Sequence, residues 1–309
     1  MPCYHPLTGY YAREVNDTGK RSLVFSVDKA LVDVPVQVPC GRCIGCRLDR
    51  SLSWAVRCVH EASLYDENCF ITLTFDDKHL GDGSLHVSDF QNFMKRFRQF
   101  VAPRKIRFFH CGEYGAQFSR PHHHACIFNY DFPDKKAFGK EIFTSDILSQ
   151  LWPYGFSTVG RVTMQSAAYV ARYVLKKWSK DNLEGQELYD AMQALSNEDA
   201  KKLFYGGKHP EYVTMSRRPG IGDKWFSQFS SELFPSGFVV LPSGKKCRIP
   251  KFYDSKFELD NLIGMAKIKG ERCRRAQENP DNTRERLQVR GEVKLLNSKQ
   301  LIRGYEDGR

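Results

Sequence analysis

No apolar run in this sequence approaches the roughly 20 residues that cross a bilayer as a helix, so no membrane span is expected. The first residues lack the apolar core of a secretory signal, and the expected location is therefore the cytoplasm. There is no internal repeat and no glycine-rich phosphate loop, which argues against an encoded helicase or ATPase and against a nucleotide cofactor. Acidic residues are in deficit: 36 Asp and Glu face 47 Lys and Arg, a net charge of +11 that suits a polyanionic partner such as nucleic acid. Hydrophobic residues make up 41% of the 309, enough for a buried core, so the chain reads as one large domain or a core with additions. Cysteine is plentiful, and ten of them in a cytoplasmic chain favour metal ligation or reduced thiols over disulfides.

The most informative stretch is Arg120–Phe128, RPHHHACIF. β-branched and aromatic residues bounded by Pro121 and Asn129 predict a strand. Alternation then puts His122, His124, Cys126 and Phe128 on one face, and His123, Ala125 and Ile127 on the other. Two imidazoles on one face can share a metal ion, which His123 cannot join. Upstream, Glu113 in Cys111–Gly115 is the candidate third ligand near the turn into the His strand. Two His and one carboxylate leave positions open on a divalent ion. Downstream, Ala167–Lys177 reads as a helix capped by Thr163 or Ser166. Tyr169 and Tyr173 share one helix face, and Lys176 and Lys177 follow one turn later. Tyrosine attack on phosphorus needs a metal that polarises the electrophile and cations that stabilise the phenolate. Each element alone is more often ordinary packing; their order and spacing carry the signal.

Cys40, Cys43 and Cys46 are spaced by two residues, with Gly41 and Gly45 between them. Three thiolates need a fourth ligand for a closed tetrahedral zinc site. Cys3 is the candidate and His5 the next, brought back by one or two strands built from the valines between Val24 and Val38. An iron–sulfur cluster uses similar spacing, but nothing else suggests electron transfer. Arg47 to Tyr65 has apolar residues at helical spacing, with Arg47, Arg50 and Arg57 among them, which predicts an amphipathic helix with a basic side.

From residue 69 to about 180 the elements alternate: strand 70–75, helix 88–101 capped by Ser88, strand 106–111, the His strand, helix 145–151 and strand 156–162. This predicts an α+β fold with a ferredoxin-type antiparallel sheet and flanking helices. An aromatic-rich sheet of this kind also fits a non-enzymatic RNA-binding domain. Residues 181–200 are polar and acidic, a surface helix or linker. In Ser216–Gly222, Arg217 and Arg218 can hold phosphates, and Trp225 and Phe226 can stack bases or anchor the loop to the core. Arg172, between the tyrosines, is a third DNA-contact candidate. The charged tail from 256 reads as solvated helix. The expected division is a Cys-rich region with a basic helix (1–64), a core (65–180) and an accessory region with a charged tail (181–309).

The His-hydrophobe-His order, with Phe70–Phe75 before it and Tyr169–Lys177 after it, resembles the HUH endonucleases, metal-dependent tyrosine nucleases that start rolling-circle replication. His123 departs from the usual apolar middle residue. Pro39–Arg47, Cys111–Gly115 and Met215–Gly222 extend the resemblance to the replication initiators of gokushovirus-type microviruses, over residues 1 to about 255. That resemblance implies origin-specific nicking and ligation of single-stranded or supercoiled phage DNA in the bacterial cytoplasm. It implies a 5′-phosphotyrosine link made by Tyr169 or Tyr173 in alternation, Mg²⁺ or Mn²⁺ on His122, His124 and Glu113, and support from Lys176 or Lys177. Host DNA polymerase and helicase would be the partners. A relaxase or transposase of the same superfamily, and a zinc-stabilised nucleic-acid-binding protein without catalysis, are the competing expectations.

Overall fold

The computed structural model describes residues 3–17, 19, 21–115, 118–173, 207–241 and 243–299. The chain divides into two units, Met1–Asp49 together with Asn261–Ile302, and Arg50–Asp260.

In the first unit, β1 (Leu7–Val15) is flanked by β2 (Arg21–Val24) and β3 (Ala30–Val38), both antiparallel to it. The valine-rich segment supplies β3 and the end of β2, and the upstream strand β1 completes a three-stranded sheet. Leu7 pairs with Val38, which brings the residues before β1 next to those after β3. The tail forms two helices, Leu262–Gln277 and Arg284–Lys299, with mostly exposed side chains, as a charged sequence dictates.

The second unit is built on a seven-stranded sheet. In chain order follow α1 (Ile44–Ala62), β4 (Asn68–Thr74), α2 (Val87–Phe100), β5 (Arg107–Tyr114), β6 (Pro121–Phe128), β7 (Lys136–Gly139), β8 (Ile142–Thr144), α3 (Asp146–Leu151), β9 (Ser157–Gly160), α4 (Met164–Tyr173) and β10 (Tyr212–Met215). The sheet order is β10-β5-β6-β4-β9-β8-β7, every neighbouring pair antiparallel. Its middle, β5-β6-β4-β9 with α2 and α3 as connections, has the strand-helix-strand-strand-helix-strand order of a ferredoxin-type core. β10 and the β7–β8 hairpin extend it at the two edges.

Both faces of the sheet are covered, which is why β4 and β6 are apolar on both sides. One face (Ile71, Leu73, Ala125, Ile127) packs against Phe90, Phe93, Met94 and Phe97 of α2 and against Leu148 and Trp152. Each of these large side chains contributes about 1.5–3 kcal/mol by leaving water. The other face (Phe70, Phe109, Cys111, Cys126, Phe128) packs against Ala55 and Cys58 of α1 and Ala167, Val170 and Ala171 of α4.

The helix starts show where local signals were overridden. Ser145, expected as the first residue of α3, is its cap instead, its Oγ accepting from Leu148 N–H at 3.1 Å. Ser88 does not cap α2. That helix begins one residue earlier, at Val87, after His86, whose imidazole is turned to Asp82 at 3.1 Å. The entry is instead fixed by Asp82 accepting from Ser84 N–H and by the Tyr114 hydroxyl accepting from Leu85 N–H.

Candidate functional site

The register of three strands assembles the first site. β6 lies between β5 and β4, so that His122 is opposite Glu113 and Thr74, while His124 is opposite Cys111 and Thr72. Glu113 is the next-to-last residue of β5, and the pleat directs it to the same face as both histidines. That face is the one covered by α4.

Glu113 and His124 are fully buried, with His124 Nε2 2.7 Å from Glu113 Oε1. The other imidazole nitrogen, Nδ1, is 3.0 Å from Thr72 Oγ1. Phe70 stacks over the His124 ring, and Tyr169 meets it edge-on with centroids 5.0 Å apart. The Tyr169 hydroxyl donates to Glu113 Oε1 at 2.5 Å. His122 is half-buried, its ring centroid 6.3 Å from that of His124 and packed against Gly115.

The donor set suits a divalent cation on one count and is not closed around one. Glu113 Oε2 and His124 Nε2 are buried without a hydrogen-bond partner; the 2.7 Å contact is out of line for one. Such atoms are costly unless something supplies the missing interaction. Among the described residues, however, only the cysteine group brings three or more metal-type ligand atoms within 4.8 Å of one another. His122 would have to turn inward to complete a set with His124 and Glu113.

His123 points to the opposite face, where its Nδ1 is 3.2 Å from His110 Nε2 and His110 Nδ1 is 2.8 Å from Thr214 Oγ1. Phe90 stacks flat on His110 at 3.5 Å. Burial, with His124 and His122 beside it, pulls the pKa of His123 down to about 3, and burial lowers that of His110 well below the usual range. Both are neutral structural imidazoles. His110 went unnoticed in the sequence because only the β5–β6 register pairs it with the His run.

The helix bearing the tyrosines begins at Met164, a turn before the expected start. Thr163 and Ser166 share the cap: Thr163 Oγ1 accepts from Ser166 N–H and Ser166 Oγ from Thr163 N–H. Tyr169 is 1% exposed. The Arg172 guanidinium is 5.2 Å from the centre of its ring. Tyr173 ends the described helix; Lys176, Lys177 and the acidic segment 181–200 lie outside the described residues.

The second site is the cysteine group. Cys3, Cys40, Cys43 and Cys46 place their Sγ atoms within 4.8 Å of one another, and Cys3 and Cys43 are 3.9 Å apart. Four thiolates about 2.3 Å from one tetrahedral ion would be separated by about 3.8 Å, so the spacing fits a single ion. Backbone N–H groups point at the sulfurs: Cys40 to Cys3, Cys43 to Cys40, and Tyr4 to Cys43, all at 3.2–3.3 Å. Burial raises the Cys43 pKa, but hydrogen bonds from the Cys46 and Tyr4 N–H groups and from the Cys40 and Cys46 side chains together outweigh it and bring the thiol down to about 7. His5 is exposed and outside the group.

Arg217 and Arg218 are exposed on the loop before Asp223. A buried pair below, Glu61 Oε1 with Arg107 Nε at 2.5 Å, anchors that loop. Arg107 donates to the Pro219 and Gly220 carbonyls, and Glu61 accepts from Gly222 N–H. Trp225 and Phe226 are engaged within the fold: Trp225 stacks on His60 at 3.5 Å and Phe226 on Tyr253. Of the two expected uses for these aromatics, anchoring is the one the structure displays. Glu61, the only buried acid of α1, escaped notice because its charge resembles any solvated helix position.

Similarity to known proteins converges on one family. Residues 68–178 match the family described as replication-associated protein ORF2/G2P. The chain is 32% identical over 271 residues to the replication-associated protein VP4 of Bdellovibrio phage phiMH2K, covering 84% of this chain and 78% of that protein. It is 32% identical over 238 residues to the replication-associated protein ORF2 of Spiroplasma virus 4, covering 72% and 68%. With the replication-associated protein ORF4 of Chlamydia phage 1 it shares 33% identity over 153 residues, 46% and 38% of the two chains. No solved structure matches this chain.

Proposed function

The chain belongs to the replication-associated proteins of microviruses, and from that premise we propose that it starts rolling-circle replication by nicking the phage origin with a tyrosine. The observation that carries this reading is the convergence of His124, Glu113 and the Tyr169 hydroxyl within hydrogen-bonding distances, with His122 next to them on the same face. His122, His124 and Glu113 would hold Mg²⁺ or Mn²⁺, which when bound supplies Lewis-acid polarisation of the scissile phosphate. A phenolate oxygen of Tyr169 or Tyr173 forms the new bond to phosphorus while the bond to the 3′ oxygen breaks. The products are a 5′-phosphotyrosine and a 3′-hydroxyl for a host polymerase, and the reverse exchange ligates.

Tyr169 is covered and hydrogen-bonded to Glu113, so attack from it requires that bond to open. Arg172, Arg217 and Arg218 would contact DNA phosphates, and Lys176 or Lys177 would stabilise the phenolate. Residues 65–180 would be the catalytic core, with zinc on the four cysteines in a structural role. The site of action would be the cytoplasm of the bacterial host, with a host helicase opening the duplex.

The test is to incubate the purified chain and Mn²⁺ with single-stranded fragments tiling its own replicon and to run a denaturing gel. The expected result is a protein–DNA adduct that survives SDS and is lost with EDTA and with Tyr169→Phe/Tyr173→Phe. Tight binding without an adduct from any fragment would overturn the nuclease reading in favour of a zinc-stabilised binding protein, which the burial of Tyr169 also suits.

A further inference from the structure

We infer that Phe138 and Phe156 form a stacking platform for bases of the single strand on which the site acts; this rests on the single-stranded substrate of the reading above. Phe156 immediately precedes β9, and Phe138 lies in β7, the outer strand of the hairpin that extends the sheet beyond its ferredoxin-type middle. Their ring centroids are 5.2 Å apart, yet Phe138 is 54% and Phe156 48% exposed. Single exposed phenylalanines are ordinary, but these two share one patch on the face that carries the candidate site. The strand pairings fix that face. Val159 packs into the α2 side of the sheet, and Ser157 is paired with Leu73 of the same side. Alternation then turns Phe156 to the other side, with Thr74, His122 and His124. Phe143, the partner of Ala137, also packs into the α2 side, which turns Phe138 the same way as Phe156.

Thr74 ties the platform to the site. It is the cross-strand partner of His122, and its N–H and Oγ1 both donate to the Phe156 carbonyl, at 2.9 and 2.8 Å. At Gly155 a Cβ would stand 2.4 Å from the Thr74 carbonyl oxygen, so only glycine lets this turn lie so close to β4. Neighbouring strands are about 4.8 Å apart, which puts Phe156 two strands, about 10 Å, from His122. A DNA strand whose scissile phosphate sits at His122 and Glu113, and which crosses β4, brings its next bases over the two rings. Phenyl faces stack any base, so the platform adds affinity without reading sequence. A base slotted between two rings needs about 7 Å, two contacts of about 3.5 Å, and 5.2 Å leaves no such slot; the base lies on the outer surface of the pair. Exposed cations adjoin both elements, Lys140 after β7 and Arg161 after β9, as the phosphates of a strand lying there require.

The test uses full-length, zinc-loaded protein without Mg²⁺ or Mn²⁺, and follows a fluorescein-labelled oligothymidylate by anisotropy. It compares wild type with Phe138→Ala, Phe156→Ala, Phe156→Leu and Phe156→Trp, with circular dichroism to verify the fold. Each Ala variant should bind roughly 5- to 150-fold more weakly, the loss expected for one stacked base. The slope of log affinity against log salt should stay at the wild-type value, because no phosphate contact is removed. Phe156→Trp should bind at least as well as wild type, and Phe156→Leu should stay weak. Oligothymidylate carrying 5-iodouracil should photo-crosslink to Phe138 or Phe156 when the adduct is mapped by mass spectrometry. Ala variants that bind like wild type, a Leu variant that rescues as fully as Trp, a salt slope that falls with the affinity, or crosslinks confined to other residues would each overturn the inference. The nuclease reading would survive any of these as long as wild type forms its covalent adduct with origin DNA. Loss of binding in the Ala variants, with no adduct formed by wild type, would instead uphold the platform and overturn the nuclease reading.

Discussion

The hydroxyl of Tyr169 donates a 2.5 Å hydrogen bond to Oε1 of Glu113, a residue 56 positions away on a different element, and both groups are sealed from solvent. A hydrogen bond to a buried carboxylate is among the stronger kind. It ties α4 to β5 at the point where the family's chemistry is proposed to occur.

Tyr169→Phe should therefore cost stability as well as any nucleophile. Removing a hydrogen bond to a charged group costs about 1.5–3 kcal/mol. Urea unfolding of Tyr169→Phe against wild type measures it. A midpoint unchanged within error would mean that the bond contributes nothing in solution.

Chelation at Cys3, Cys40, Cys43 and Cys46 should loosen one sheet selectively. The ion would clasp the chain where β1 and β3 meet at Leu7 and Val38. Zinc measured by mass spectrometry should be one per chain and should fall to none in Cys40→Ser. Amide exchange in β1 and β3 should accelerate on treatment with a thiophilic chelator, while β4, β5 and β6 keep their protection.

Acid should destabilise the protein in part through His60. Stacked on Trp225 and hydrogen-bonded to the Tyr253 hydroxyl, it is held at about 4 by burial against an ordinary value of 6.5. The unfolded chain takes up this proton near pH 6.5, whereas the folded chain resists until about pH 4. The contribution is complete above pH 6.5 and is lost as pH falls towards 4, at about 1.4 kcal/mol per pH unit. The slope of stability against pH in that window should be shallower in His60→Gln than in wild type, the measurement being urea midpoints at half-unit intervals.

Gly112→Ala should distort β5. A Cβ there would stand 2.8 Å from Tyr212 Cε1 and 3.1 Å from Leu85 Cδ2, with Glu113 next along the chain. Overpacking of this kind costs about 1–3 kcal/mol. Thermal unfolding should show the loss, and Mn²⁺ binding should weaken with it.

Arg217→Ala/Arg218→Ala should leave folding untouched, because both side chains are exposed, and should weaken single-stranded DNA binding. The slope of log affinity against log salt should drop by about 0.7 for each phosphate no longer neutralised. Glu61→Ala below the same loop should do the reverse first, since breaking a buried ion pair costs about 3–5 kcal/mol.

Period and spacing alone separated His122 and His124 from His123, placed the apolar face of α2, and grouped four cysteines by ligand type. Each of these is a local property: alternation along a strand, the 3.6-residue turn and the preference of zinc for thiolate hold whatever the rest of the chain does. The expected strands and helices of the core likewise occur, displaced by a few residues where side chains such as Asp82 and Tyr114 fix a helix start from outside it. What tertiary structure alone decided is register. It set Glu113 opposite His122 and Thr72 opposite His124, set His110 against His123, brought β10 from a hundred residues away to the edge of the sheet, and committed Trp225 to His60. Pairings between distant segments depend on which side chains the packed faces can bury together, and no single segment contains that information.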